Sequence, residues 1–242
     1  MNKTLPLLLL LLALTSCAQK YKIEGSSSVS SLDGRMLFIK MLDKGEWVKI
    51  DSAEVVHGLF SMNGAADSVM MVSLYMDEES IMPLVIENGD IKVAISNTEL
   101  KASGTPMNDA LYTFIDKKNA MDAQIGELER KEARMVLDGN NLADIQQQLS
   151  SEGEVLVKDM RTYVKKFISD NYENVLGPSV FMMLCSGLPY PIITPQIEDI
   201  LKDAPASFKS HKMVMEFITK AKENQQLIEE RQRLEQNAAM QR

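Results

Sequence analysis

The chain changes its hydrophobic period once. Over residues 21–103 apolar residues fall in short runs separated by turn residues. Ile91, Val93 and Ile95 alternate with Lys92, Ala94 and Ser96, as a strand with one buried face requires. The pattern predicts strands over 21–25, 35–41, 47–56, 59–62, 69–76, 82–87, 91–95 and 100–102. Asp33-Gly34, Lys44-Gly45, His57-Gly58, Asn63-Gly64 and Asn88-Gly89-Asp90 supply the breaks, because Gly and Asn tolerate the positive φ of tight turns. Short strands with frequent turns predict an antiparallel β-sandwich or partly open barrel over 21–104.

After Gly104 the period becomes helical. Thr105-Pro106 reads as an N-cap followed by proline at the first helical position. Met107, Leu111, Phe114, Lys118, Met121, Ile125, Leu128, Glu132 and Met135 then recur at alternating spacings of four and three. This is a coiled-coil-like heptad seam interrupted by Lys118 and Glu132. Asp138-Gly139-Asn140-Asn141 predicts a turn, and 142–171 a second long helix folded back on the first. Ile125 and Leu128, between the interruptions, are expected to be the best-buried anchors of that hairpin. Gly177-Pro178 opens an apolar helix reaching Cys185, and Thr194-Pro195 repeats the cap-and-proline device before a helix ending near Asp203. A last helix is expected from Ser210 onward, exposed beyond Glu223. The fold class is therefore α+β, with a sandwich at 21–104, a helical region at 105–209 and a C-terminal helix at 210–242.

The first twenty residues follow neither pattern. Lys3 precedes an almost unbroken apolar run over 5–14, too short to span a bilayer comfortably. Leu14-Thr15-Ser16-Cys17 then reads as a lipobox, the bacterial lipidation and cleavage signal. Small residues at 15 and 16 admit a peptidase, and the Cys17 thiol accepts a diacylglyceryl group. Several acyl chains anchor stably where one does not. The expectation is a signal peptide over 1–16, a lipidated N-terminus over 17–20, and membrane attachment through Cys17.

Charge sharpens the picture. Lys and Arg number 26 against 34 Asp and Glu, a formal net charge of −8. Loss of Lys3 with the signal leaves −9. Such acidity argues against nucleic acid and against a polybasic membrane patch. With Cys17 consumed by lipid, only Cys185 remains, so the mature chain cannot form an internal disulfide and has no CxxC.

Three segments carry a family resemblance. Asp51-Ser52-Ala53-Glu54-Val55 with Gly58-Leu59-Phe60 and Gly64, then Glu87-Asn88-Gly89-Asp90-Ile91, then Ser103-Gly104-Thr105-Pro106-Met107-Asn108 occur in order. They resemble the uncharacterised N-terminal domain of exported thioredoxin-like and peroxiredoxin-like proteins of the bacterial cell envelope. The resemblance covers about 21–114. Phe167-Ile168-Ser169-Asp170-Asn171 and Gly177-Pro178 resemble the helical connector of those proteins. Their catalytic cysteines lie in a following domain, and this chain ends where that domain would begin. The resemblance thus implies a fold and an envelope context, without thiol-disulfide oxidoreductase activity.

Candidate chemistry outside Cys17 is sparse. Cys185 sits in Phe181-Met182-Met183-Leu184-Cys185, an apolar setting that makes a thiol inert. His57 and His211 lack partners at metal-ligand spacing. Most of the 17 methionines fall on apolar positions, where Met fills the core. Asp77-Glu78-Glu79 reads as a solvated acidic tip without calcium-loop spacing, and Ser26-Ser27-Ser28 with Ser30-Ser31 as a flexible turn. No Gly-rich phosphate loop occurs. No catalytic residue, metal site or cofactor is expected.

The expected function is that of a non-enzymatic envelope lipoprotein binding an envelope protein or small ligand. The alternatives are a redox accessory using Cys185 or a separate thioredoxin-like partner, and a structural oligomer built on the heptad-spaced helix. Ala18-Gln19-Lys20 carries no retention or surface-export acids, which favours the outer membrane facing the periplasm.

Overall fold

A computed structural model of the protein describes residues 19–43 and 45–240, and Cys17 lies outside them. All eight strands form: β1 (Gln19–Ser27), β2 (Met36–Asp43), β3 (Glu46–Glu54), β4 (Leu59–Ala66), β5 (Met70–Met76), β6 (Glu79–Ile86), β7 (Gly89–Ile95) and β8 (Leu100–Ser103). They make two four-stranded sheets, ordered β4-β1-β7-β8 and β3-β2-β5-β6. Pairing is antiparallel except between β1 and β7, which run parallel. Ile23, Leu37, Ile39, Leu74, Leu84 and Ile91 are fully buried, as strand alternation requires.

Asn63-Gly64 is not a turn. Both residues lie within β4, where Gly64 pairs with Tyr21 and Gly25 of β1 pairs with Phe60. Each pair sets an aromatic ring over a bare backbone. A Cβ would lie 2.7 Å from the Tyr21 oxygen at Gly64 and 2.0 Å from Phe60 Cζ at Gly25. The glycines therefore serve ring packing inside the ladder, and the turn moves on to Asp67-Ser68. The serine-rich segment is also ordered: Ser26 and Ser27 extend β1, and Ser30–Leu32 forms one 3-10 turn.

The long helices are α1 (Pro106–Leu137) and α2 (Leu142–Asp170), packed as an antiparallel hairpin. Phe114 stacks against Tyr163 and Phe167, with ring centroids 5.5 and 4.4 Å away. Farther out, Lys131 Nζ reaches Glu152 at 2.7 Å. Ile125 and Leu128 are only half-buried; the buried anchors of α1 are Asn108, Leu111, Tyr112 and Phe114. The reason is that only the first turns of α1 touch the sandwich as well as α2. α1 passes Val85, then Pro83, then Lys101, so it runs toward the end of the sandwich where β1 finishes. Its 32 residues span about 48 Å.

Three more helices follow: α3 (Leu176–Ser186), α4 (Pro195–Lys202) and α5 (Ala206–Ser210). The last helix, α6 (Lys212–Met240), starts within two residues of the expected Ser210, and a break separates it from the short α5, which was not expected. The break is at His211, which has φ −57° and ψ 129°. Phe208 and Phe217 are nine positions apart, and an unbroken helix would point them roughly 180° apart. With the break, both rings meet Phe181 of α3 edge-on, at 5.6 Å each. One continuous core then runs from Ile23 in the sandwich to Ala221 in α6.

Candidate functional site

Two of the three segments that resemble the envelope-protein domain, 87–91 and 103–108, meet in a clamp between β6 and the start of α1. Thr105 occupies the N-cap position, but its side chain does not cap the helix. Glu87 does so from outside: the Met107 and Asn108 N–H groups donate to its Oε1 at 2.8 and 3.0 Å. Asn108 in turn mimics a neighbouring strand. The Val85 N–H donates to Asn108 Oδ1 at 2.9 Å, and Asn108 Nδ2 donates to the Val85 carbonyl at 2.8 Å. The same amide nitrogen donates to Thr105 Oγ1 at 2.9 Å. Glu87, Thr105 and Asn108 are all buried. Tyr112 completes the cover of this sheet edge by donating to the Pro83 carbonyl at 2.8 Å. In the first segment, the Tyr21 hydroxyl donates to Asp51 Oδ2 at 3.2 Å, joining β1 to β3. Burial, reinforced by the Asp51 charge, pushes the Tyr21 phenol up to about 12.

A constellation that the separate readings of serines and histidine did not anticipate lies at the far end of the sandwich. Ser27, Ser28, Ser30, Asp33 and His57 border one hollow of about 310 Å³. The residue types are those of a nucleophilic triad, but their hydrogen bonds go elsewhere. Asp33 Oδ1 accepts from the Gly58 N–H at 3.2 Å, and Ser27 Oγ accepts from the Val29 N–H at 3.1 Å. His57 is exposed in a positive-φ turn, so nothing orients its ring for general-base work. The acidic tip is likewise accounted for, with Asp77 paired to Arg35 and Glu78 to Lys40.

Cys185 is buried on α3, and burial pushes its thiol up to about 12. Alkylation of the folded protein at neutral pH should therefore proceed only as fast as the helical region opens. Labelling at equal rates in buffer and in urea would contradict this burial. Stability also acquires a pH dependence. A thiol raised in the folded state costs nothing below its unfolded pKa, near ~8.5. As pH climbs from there toward about 12, the unfolded chain ionises first and stability falls. Cys185→Ala should remove up to ~1.4 kcal/mol per pH unit of that slope, read from urea midpoints at pH 8.5–10.

Another concave surface lies between α2 and α4. Glu154, Val157, Lys158, Arg161 and Lys165 recur at helical spacing along α2, facing Pro195, Gln196 and Asp199 across a groove of about 720 Å³. Gly153 borders one end. Lys165 closes the other, 2.8 Å from Asp199 and 3.2 Å from Asp203, whose carboxylates hold its ammonium above its ordinary pKa. A second hollow of about 220 Å³ shares Arg161, Pro195 and Gln196 and adds Leu184, Leu188 and Ile197. The two adjoin, with Leu184, Leu188 and Ile197 beneath and Glu154, Lys158 and Arg161 at the rim. Lys158 and Arg161 make no ion pair among the described residues. Periodicity marks α2 as amphipathic, but the facing wall comes from residues more than thirty positions away, which no spacing rule reveals.

His211 carries a buried Nδ1 without a hydrogen-bond partner, and burial lowers its pKa. Among the described residues no three His, Cys, Asp or Glu side chains are grouped to hold a metal, and no helix is long and apolar enough to cross a membrane.

The family model of a domain of unknown function, DUF4369, matches residues 21–111. That span covers the sandwich from Tyr21 of β1 onward together with Glu87, Thr105 and Asn108, and it ends within α1, one residue before Tyr112. None of the curated proteins and none of the solved structures gives a match. The chain is therefore similar to that family over its β-rich part.

Proposed function

We propose that the chain is a lipid-anchored, non-enzymatic interaction module of the bacterial cell envelope. It sits in the outer membrane facing the periplasm through acylated Cys17 and binds through the α2–α4 groove. The observation that carries the binding reading is how the two sets of polar residues are used. Glu87, Thr105 and Asn108, inside the matched segment, spend their polar atoms on the fold. Lys158 and Arg161, beyond it, border the groove with none of the described carboxylates paired to them. The matched part supplies a frame, and the helical part supplies specificity. The anchor reading is supported by the apolar run over 5–14 and its close at Leu14-Thr15-Ser16-Cys17. The likeness of 167–171 and Gly177-Pro178 to the connector of exported thioredoxin-like proteins supports the envelope context.

Cys17→Ser should leave an uncleaved or mislocalised precursor without covalent lipid, because serine cannot form the thioether. Mass spectrometry of the natural protein should find an acylated N-terminal cysteine; a mature, unacylated N-terminus removes the anchor from the reading. For the groove, a photoreactive side chain in place of Lys158 should give a discrete cross-linked species in intact cells. Illumination that yields only the uncrosslinked chain takes away the groove as a binding surface.

A further inference from the structure

Two surfaces of the helical region have no intramolecular partner among the described residues, and they complement each other. The first is the groove. The second is the outer face of α6 beyond Asn224. Val214, Phe217 and Ala221 bury the first turns of α6, and Asn224 Nδ2 donates to the Pro191 carbonyl at 2.9 Å. Pro191 lies between Leu188 and Thr194, two residues that line the inner hollow, so α6 leaves the body beside the groove. Past that point Leu227 and Leu234 are 64% and 63% exposed. They sit seven residues apart on one helix face, about 10.5 Å along the axis, with Glu230 between them.

We propose that the groove of one copy receives the outer face of α6 from a second copy, and the reverse, in a two-fold dimer. The proposal rests on the reading of the groove as the interaction surface, but not on the lipid anchor. The dimensions agree. The groove follows α2 from Gly153 to Lys165, about 18 Å, which accommodates two leucines spaced by two turns. Its apolar floor, formed by Val157, Leu188 and Ile197, gives those leucines a place to lose water.

The unpaired charges lean the same way. Among the described residues Lys158 and Arg161 lack carboxylate partners at the groove, against one unpaired Glu154, while Glu230 and Glu235 lack cationic ones on α6, against one unpaired Arg231 on that face. In the proposed dimer each tail lies across the other copy's groove. The contact is reciprocal and closes, so it makes dimers and not fibres. Within one chain both leucines remain exposed.

The test uses two differently tagged full-length copies expressed together in the native envelope, one carrying Arg161→Cys and the other Glu230→Cys. Oxidation should give a disulfide-linked species with both tags and far less of either homodimer. Natural protein extracted in mild detergent should sediment as a dimer. Leu227→Asp with Leu234→Asp should make it a folded monomer, since both leucines are exposed in the single chain. Arg161→Glu should weaken association roughly tenfold, and Glu230→Arg on the other copy should restore it. A natural protein that sediments as a monomer at its highest soluble concentration overturns the proposal. So does a dimer that persists in the double leucine variant. Photocross-linking from position 158 to a different envelope protein, with no second copy, also overturns it while leaving the interaction-module reading intact.

Discussion

Asn108→Ala should cost on the order of 3–5 kcal/mol of folding stability, although residue 108 is polar and far from the groove. The substitution strands the buried Val85 N–H and carbonyl together, and it takes one donor from Glu87. Each buried group left unpaired costs ~1–3 kcal/mol. A domain this size is stable by only about 5–15 kcal/mol, so much of the margin goes. Urea denaturation followed by fluorescence of Trp47, the only tryptophan, measures the loss. Asn108→Asp is the informative companion. It keeps an oxygen for the Val85 N–H but sets a second carboxylate against Glu87. It should therefore be as damaging at neutral pH and partly recover on acidification, once one carboxylate takes a proton. A loss under ~1 kcal/mol in the alanine variant would show the clamp to be dispensable.

Phe181→Ala should be comparably severe, at ~3–5 kcal/mol. The ring is fully buried and is the common edge partner of Phe208 and Phe217, so its removal leaves a cavity where α3, α5 and α6 meet. The more discriminating outcome is cooperativity. The apolar core is continuous from the sandwich into α6. Loosening the helical end should accordingly lower the midpoint seen at Trp47 in β3 together with the helical signal in far-ultraviolet circular dichroism. Two separated transitions would mean that the halves fold independently and that the shared core contributes little.

Much of the architecture was legible because it follows from local rules. Strand alternation, glycine turns and the change of period at Gly104 placed every strand, and α1 begins at the proline expected to open it. The departures share one physical cause: the deciding partner is remote in sequence. Asn63-Gly64 looks like a turn until Tyr21 lies across it. Asn108 looks like an ordinary first-turn residue until it meets Val85, twenty-three positions back. The heptad seam correctly announced a hairpin, but burial along it depends on the sandwich, which favours Leu111 and Phe114 over Ile125 and Leu128. The short α5 and the break after it at His211 were hidden because they serve Phe208 and Phe217, whose shared neighbour Phe181 is remote. The groove was hidden for the same reason, its two walls being distant stretches of chain.

The position of β1 sets how far the molecule can reach. It begins at Gln19, two residues after Cys17, and two residues of extended chain cover only about 7 Å. On the proposed acylation of Cys17, so short a span would hold the end of the sandwich where β1 starts close to the bilayer. α1 starts at that same end and points the other way, so the hairpin turn is carried outward. Leu137, 86% exposed, and Leu142 stand at the tip of that hairpin, which under the proposed anchor would be held away from the lipid. A partner on the membrane surface and one deeper in the aqueous space would meet different parts of the protein, sorted by altitude before any side chain reads them.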